Sequence, residues 1–284
     1  MDNLFDNAHD AYHSSIPSGL VLVLAVLFAI VSGLLASLRI RAEYHEFLSL
    51  GPGGTPSNFA GFVRVKFLSQ FELRNRYNPG PVPRESKWGG LVALPHRSRP
   101  RPLTKGIAPH RQMDQRPSQE VYVKLAAGIE QMAQGRNKDL AIGTSCFEKH
   151  GTGLFSKSPA TKTCRGEIVH LHGSDGSMHL TLHPSDAKVV LEAGWGERHP
   201  LAGVFKRWFL PQLPVGFIML YAPQTDDEVE VVLKVIAAAA AFVHGQAVEA
   251  ATKGLEGRQA EKQQSGLDHC YEVAVNAASI VSTE

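Results

Sequence analysis

The feature that most constrains this chain is an uncharged apolar run of 20 residues from Gly19 to Leu38. A helix of that length spans about 30 Å, the thickness of the hydrocarbon core of a bilayer, so the run predicts a transmembrane helix. Residues 1–18 form an acidic flank without Lys or Arg, whereas a cleaved secretory signal begins with a basic region. The run is therefore predicted to persist as a membrane anchor.

The charges after this run predict its orientation. Arg39 and Arg41 follow it directly, and Arg64 and Lys66 come next. Because positive charge accumulates on the cytoplasmic side of membrane helices, we expect a single-pass protein whose C-terminal domain lies in the cytosol.

Composition excludes one class of partner and favours one redox environment. The formal net charge is only +2, and a nucleic-acid-binding protein carries a concentrated basic excess, so nucleic acid is not an expected partner. The three cysteines are an odd set without CxxC spacing, which indicates neither a disulfide framework nor a thiolate zinc site. A reducing compartment is the simpler expectation.

Residues 39–116 are predicted to connect the anchor to the domain. Helical spacing appears over Ile40–Leu50 and Phe59–Phe71, on either side of a Gly- and Pro-rich break. The second helix either lies at the lipid interface, where its Arg64 and Lys66 meet anionic headgroups, or packs on the domain. From Asn75 to Arg116 the chain is rich in Pro, Gly and Arg, which predicts a long basic connection, solvated or in contact with lipid.

Residues 117–250 carry the pattern of an α+β domain, followed by a polar tail over 251–284. Capping residues and apolar periodicity predict three helices, over 118–134, 185–194 and 225–244. Segments rich in β-formers that end at Gly or Pro predict four strands, over 139–147, 166–172, 177–183 and 215–221. Several links are too short for parallel crossovers, so the sheet is predicted to be mainly antiparallel and packed by helices.

The segment from Glu167 to His183 contains four histidines and predicts a β-hairpin. Asp175-Gly176 is a strong two-residue turn signal. With that turn, the facing pairs are Ser174 with Ser177, His172 with His179, His170 with Thr181 and Ile168 with His183. One face of the hairpin is then apolar, and the other gathers four imidazoles at distances of about 5 Å.

Two kinds of chemistry suit such a face. Clustered histidines cannot all be charged, so some are neutral near pH 7 and suited to general acid–base catalysis. The other reading is a metal site with His170, His172 and His179 as nitrogen ligands. No HExxH, CxxC or comparable ligand motif supports a metal here, so none is assigned from spacing.

Downstream lie the segment Gly194–Gly203, which reads GWGERHPLAG, and then Leu220–Pro223, which reads LYAP. Together with the histidine hairpin, these residues resemble the luciferase domain of bioluminescent mushrooms and its fungal relatives. The resemblance runs from the apolar anchor to the helix near Val243. It implies an endomembrane location and a cofactor-independent oxygenase that acts on an aromatic α-pyrone such as 3-hydroxyhispidin with O2, releasing CO2 and light.

The candidate site residues are the matching positions, to which Thr181 of the histidine face of the hairpin is added: His170, His172, His179, Trp195, Arg198, His199 and Tyr221. We expect His170 or His172 to be the base, with His179 beside them. Arg198 and a protonated His199 are expected to stabilise an anionic oxygen intermediate. Trp195, Tyr221 and Thr181 are the candidates for contact with a flat aromatic substrate. The alternatives are a metal-dependent hydrolase or oxygenase and a non-catalytic membrane-tethered binding protein.

Overall fold

The computed structural model describes residues 17–82, 90–134, 138–204 and 213–248. The chain divides into two compact units, one ending at Ser49 and one beginning at Leu50. Most of the predicted acidic flank and the whole of the predicted C-terminal tail lie outside the described residues.

The first unit is one helix, α1 (Ser18–Ser49). The anchor helix and the juxtamembrane helix predicted over Ile40–Leu50 are therefore continuous, because no Gly or Pro lies between Leu34 and Leu50 to interrupt the hydrogen-bond ladder. The apolar side chains between Leu20 and Leu38 are exposed. Among the described residues, α1 is long and apolar enough to cross a membrane.

The second unit is an α+β domain, as the sequence predicts. Its main sheet is antiparallel throughout and has the strand order β3-β4-β5-β6-β8-β7. The strands are β3 (Leu140–Thr144), β4 (Thr152–Ser156), β5 (Glu167–Leu171), β6 (Met178–Thr181), β7 (Gly196–Arg198) and β8 (Phe217–Leu220). A separate ribbon pairs β1 (Thr104–Gly106) with β2 (His110–Gln112). The helices are α2 (Phe59–Leu68), which runs into a 3₁₀ turn (Ser69–Phe71), α3 (Gln119–Gln134), α4 (Pro184–Glu192) and α5 (Asp226–His244).

Helices α3 and α5 cover one face of the main sheet. Helix α5 begins as its sequence predicts, because the Thr225 side chain accepts a hydrogen bond from the Glu228 N–H, and it ends at Gly245, where φ is 81°. Its predicted apolar stripe is confirmed, since all six of its positions are buried in the core: Val229, Val232, Leu233, Ile236, Ala240 and Val243. The apolar face of the histidine hairpin packs into the same core. The opposite face of that hairpin is therefore left to carry the polar groups.

The hairpin forms, but its register differs from the prediction by two residues. His170 pairs with His179 and Leu171 with Met178, and the His172 N–H donates to the Ser177 carbonyl. The turn therefore has four residues instead of two, because the Asp175 carboxylate accepts hydrogen bonds from the Ser177 N–H and hydroxyl. The shift of two residues keeps His170, His172 and His179 on their predicted common face. Ile168, which was predicted on that face, instead packs in the core.

The fourth hairpin histidine has a different role from the one predicted. His183 is the N-cap of α4, and its Nδ1 atom accepts a hydrogen bond from the Ser185 N–H. The sequence instead predicts Ser185 as the N-cap of this helix, which is predicted over residues 185–194. A residue that ends a strand and caps the next helix leaves the strand face, and the His183 ring contacts Phe242, with ring centres 5.4 Å apart.

A disulfide joins Cys146 and Cys164, whose Cα atoms are 6.0 Å apart. The expectation of no disulfide is therefore wrong. The spacing of 18 residues is uninformative in the sequence, and the two cysteines meet because β3 and β4 return the chain to β5. Disulfides persist in oxidising compartments, so this bond opposes the expected reducing environment.

Replacing Cys146 and Cys164 together by Ser should lower the free energy of unfolding by about 3 kcal/mol, because the disulfide closes a loop of moderate length. Denaturant unfolding of the full chain in detergent measures this loss against the oxidised wild type, and the wild type under reducing conditions should match the variant. Peptide mapping after thiols are blocked at lysis supplies a second result. Linked peptides would support an oxidising compartment, and two alkylated thiols would support the cytosolic orientation.

Candidate active site

A cavity of about 150 Å³ lies against the polar face of the histidine hairpin. Its apolar wall consists of Leu68, Ile107, Phe147, Leu201, Leu213 and Phe217, and its polar wall includes Arg64, Glu148, His110, His170, His179 and His199. These groups come from α2, from the β1–β2 ribbon, and from strands and loops of the main sheet. The cavity therefore exists only in the folded domain.

Five buried imidazoles form a connected cluster at this cavity. The His179 ring lies at the centre, with its Nδ1 atom 3.2 Å from His170 Nε2 and 3.1 Å from His172 Nε2. Its other nitrogen, Nε2, is 3.2 Å from His110 Nδ1. The ring centre of His199 lies 5.3 Å from that of His179. The predicted meeting of His170, His172 and His179 is thus present, and His110 joins them.

Glu167 holds His170 in place because of a β-bulge. In a regular strand, residues three apart point to opposite faces. The pairing of β5 with β4 shifts by one residue between Leu154 and Phe155, which returns the Glu167 side chain to the face of His170. The His170 Nδ1 atom is consequently 2.6 Å from a Glu167 carboxylate oxygen.

The Glu167 carboxylate is itself held by the loop after β3. It accepts hydrogen bonds from the Ser145 hydroxyl and from the N–H groups of Cys146 and Phe147. A carboxylate with three such donors remains an acceptor for a fourth, so His170 carries its proton on Nδ1. The Nε2 lone pair of His170 is then directed toward His179.

A hydroxyl fixes the tautomer of His172, as the Glu167 carboxylate does for His170. Its Nδ1 atom is 2.9 Å from Ser177 Oγ, and that hydroxyl donates its own hydrogen to Asp175. Ser177 is therefore the acceptor, and His172 also carries its proton on Nδ1. Burial lowers the pKa of His172 to about 4, despite the neighbouring carboxylate of Asp175.

His110 is anchored by Glu197 from β7. Its Nε2 atom is 3.2 Å from a Glu197 oxygen, and that carboxylate also accepts hydrogen bonds from the Thr104 and Tyr221 hydroxyls. Burial alone would raise the pKa of Glu197, but hydrogen bonds from His110 and Thr104 and the charge of Arg76 lower it to about 2. An ionised Glu197 fixes the His110 proton on Nε2 and leaves its Nδ1 as an acceptor.

His199 differs because both of its ring nitrogens bind the backbone. Nε2–H donates to the Ile107 carbonyl at 2.9 Å, and Nδ1 accepts from the Leu201 N–H at 3.1 Å. Burial and the neighbouring imidazole of His110 lower the pKa of His199 well below its ordinary value. The ring is neutral here, so the cationic role predicted for it requires that one of these contacts break.

The other predicted site residues lie around the cluster. Trp195 packs in the core and donates from its indole N–H to the Pro95 carbonyl. Arg198 donates to the Ala202 and Asn78 carbonyls. Thr181 is buried, and its hydroxyl has no hydrogen-bond partner among the described residues. Tyr221 reaches the cluster indirectly, through Glu197.

Three important residues escaped the sequence analysis. Strict alternation along a strand would put Glu167 on the face opposite His170, and the bulge reverses this. His110 lies in the segment predicted as a basic connection, where no periodicity singles it out. Glu197 belongs to the GWGERHPLAG segment, but nothing in the sequence distinguishes it from its neighbours as a site residue.

A buried ion pair borders the cluster. Arg111 Nη2 is 2.5 Å from a Glu148 oxygen. Burial would raise the pKa of Glu148, but the Arg111 guanidinium outweighs that effect and lowers it. Glu148 lines the cavity, so its pairing with Arg111 favours an ionised carboxylate in the cavity wall.

The fold and the site define an α+β domain with a partly open cavity, buried imidazoles in its wall and carboxylates behind them. Comparison with known proteins gives the family. A family model for the luciferase domain matches residues 165–239. The chain is 32% identical to a luciferase of Armillaria mellea over 231 residues, which cover 75% of this chain and 85% of that protein. It is also 32% identical to a luciferase of Neonothopanus nambi over 248 residues, 81% of this chain and 87% of that one. No solved structure gives a significant match. The chain belongs to the fungal luciferase family.

Replacing Glu167 by Gln should lower the free energy of unfolding by about 2 kcal/mol, because the change weakens hydrogen bonds to a buried charge. An amide also presents a donor where Ser145 and His170 both require an acceptor. Denaturant unfolding of the full chain measures the loss. The matched control is Glu192→Gln at an exposed position of α4, where we expect a change within about 0.5 kcal/mol. Equal effects of the two substitutions would contradict the role given to Glu167.

Proposed function

We propose that this protein is a membrane-anchored oxygenase that oxidises a 3-hydroxyhispidin-like α-pyrone with O2 and releases CO2. The observation that carries the proposal is the partly open cavity in which imidazoles face aromatic side chains. Membership of the luciferase family supports an enzymatic role for that cavity. Helix α1 is the proposed anchor, which tethers the domain to an endomembrane.

The volume and walls of the cavity suit one flat aromatic ring. Cavities of about 150 Å³ with apolar walls bind benzene. Phe217 stacks on His179 at an interplanar angle of 13°, and the Phe147 and Phe217 ring centres are 4.9 Å apart. A pyrone ring placed among them would replace water with aromatic contacts, while the rest of a larger substrate would extend toward the open side.

The proposed reaction begins with loss of the enolic proton from the substrate. The resulting anion passes an electron to O2, the two radicals combine as a peroxide, and CO2 leaves. The balance is one pyrone and one O2 for one oxidised product and one CO2, so no external reductant is required. Exclusion of water by the buried walls strengthens every electrostatic interaction with these anions.

Of the two histidines predicted as the base, His170 lines this cavity, whereas His172 lines a neighbouring one. The lone pair of His170 promotes proton loss in one of two ways. It accepts the proton itself, or it binds a cation that lowers the pKa of the substrate hydroxyl. Both routes require the Glu167 contact that directs the lone pair.

A cation in the cavity wall would stabilise the anionic oxygen species. Arg198 was predicted for this task, but its guanidinium binds backbone carbonyls. Arg64 of α2 lines the cavity and keeps an exposed side chain. We therefore assign the stabilising charge to Arg64.

The test mixes the full chain in detergent with 3-hydroxyhispidin in air and records photons and the mass of the products. We expect a product of O2 addition and CO2 loss, with or without light. His170→Ala should reduce turnover by at least about 10²-fold. The control is His96→Ala, at an exposed position away from the cluster, which should retain turnover.

Three results would contradict the proposal or its site. Equal turnover by His170→Ala and wild type would remove His170 from the reaction. Absence of turnover in folded wild-type protein would exclude this pyrone as substrate. Tight retention of the unchanged pyrone would favour the non-catalytic binding role.

A further inference from the structure

The histidine cluster contains more lone pairs than protons to satisfy them. His170 Nε2, His172 Nε2 and His110 Nδ1 are all acceptors, because the other nitrogen of each ring carries the proton. All three point at the His179 ring, which contacts them through both of its nitrogens. A neutral imidazole has one N–H, so at least one of these contacts would join two lone pairs.

A cation between the rings removes this conflict. We infer that the cluster binds one first-row transition-metal ion through His170 Nε2, His172 Nε2 and His179 Nδ1. The inference concerns the same cavity as the proposed function, but it rests on the nitrogen geometry alone and not on any substrate.

The distances between the proposed ligand atoms match such an ion. A tetrahedral ion with metal–nitrogen bonds of about 2.0–2.1 Å separates its ligand nitrogens by about 3.3 Å. His179 Nδ1 lies 3.2 Å from His170 Nε2 and 3.1 Å from His172 Nε2. The three ligand atoms all lie within 4.8 Å of one another. Small ring rotations therefore suffice to form the site.

With the metal in place, every ring has its hydrogen-bonding needs met. When His179 Nδ1 binds the ion, its proton moves to Nε2, which then donates to His110 Nδ1 at 3.2 Å. His110 donates in turn from Nε2 to Glu197. No imidazole has to be charged, which suits rings that are almost completely buried.

The groups behind the ligands are those that metal-binding histidines use. His170 donates to the Glu167 carboxylate, and His172 donates to Ser177, which Asp175 holds. Such contacts set the tautomer and make the ligating nitrogen a stronger donor. The three ligands thus have three acceptors behind them, Glu167, Ser177 and His110.

A second histidine triad, His110, His179 and His199, is also close enough to hold an ion. It fits less well because both nitrogens of His199 are occupied, by the Ile107 carbonyl and the Leu201 N–H. Ligation by His199 would break one of these buried hydrogen bonds. The geometry therefore assigns the ion to the hairpin triad.

Ligand type narrows the choice of ion. Three neutral imidazoles favour zinc, iron, copper, cobalt or nickel, whereas magnesium and calcium require oxygen ligands. His170 and His179 line the cavity, so an ion between them is open to a substrate from that side. The ion would act there as a Lewis acid toward a substrate hydroxyl.

The first experiment measures metal in the full chain, purified in detergent without chelators and without substrate. We expect about one equivalent of a first-row transition metal per chain by mass spectrometry, as one site predicts. His172→Ala removes a ligand that lies outside the proposed substrate cavity, and it should lose the metal. His96→Ala should keep it. Equal metal content in the two variants would overturn the inference, as would wild-type protein that is folded and metal-free.

A second experiment remains informative if His172→Ala fails to fold. Co²⁺ added to the chelator-stripped wild type should produce the visible absorption of a tetrahedral nitrogen site. Glu167→Gln should weaken Co²⁺ binding by about 10- to 100-fold, and Glu192→Gln should leave it unchanged. Absence of the absorption band, or equal Co²⁺ affinity in both variants, would overturn the site.

These readouts separate the metal from the oxygenase proposal. Protein that binds one equivalent of metal but does not oxidise the pyrone would retain the site and contradict the proposed reaction. Full turnover by chelator-stripped, metal-free protein would retain the reaction and contradict the Lewis-acid role of the ion, while the metal content of the unstripped protein decides the site itself.

Discussion

The hydrogen bond between Glu167 and His170 is the interaction on which the rest of the site depends. It requires a bulge in β5, which reverses the face of Glu167 relative to a regular strand. The same carboxylate accepts from the loop after β3, and the Cys146–Cys164 disulfide fastens that loop to the segment before β5. The Glu167 carboxylate thus binds both the loop after β3 and His170, and the bulge in β5 puts it in place to fix the tautomer of that histidine.

Burial gives the cluster its chemical character. Exposed histidines would titrate near neutral pH, whereas enclosure lowers the pKa of His179 well below its ordinary value through desolvation and repulsion from neighbouring imidazoles. The carboxylates of Glu197 and Asp175 remain ionised, because hydrogen bonds from their neighbours lower the pKa of each. The cluster therefore presents electron pairs instead of positive charge. An unprotonated nitrogen can either accept a proton or bind a metal ion. Because the cluster has more nitrogen lone pairs than N–H groups to meet them, metal ligation is favoured.

The comparison with luciferases changes how the neighbouring residues are understood. Resemblance in the GWGERHPLAG segment drew attention to Trp195 and Arg198, yet the first packs in the core and the second binds backbone carbonyls. The same segment supplies Glu197, which positions His110. A segment that lies within the family match therefore contains both packing groups and site groups, and hydrogen-bond partners distinguish them.

Much of this protein is determined by its sequence through local rules. The apolar run of α1, the caps and stripe of α5, and the antiparallel sheet all follow from periodicity and end signals that neighbouring residues carry. The grouping of His170, His172 and His179 also follows, because alternation along a strand survives a register shift of two residues. The tertiary structure alone brings His110 from the β1–β2 ribbon, returns Glu167 to the site face, removes His183 to a helix cap and joins Cys146 to Cys164. Each of these depends on how segments distant in the chain pack together. The free energy of that packing comes from many contacts between such segments, and no local sequence pattern specifies them.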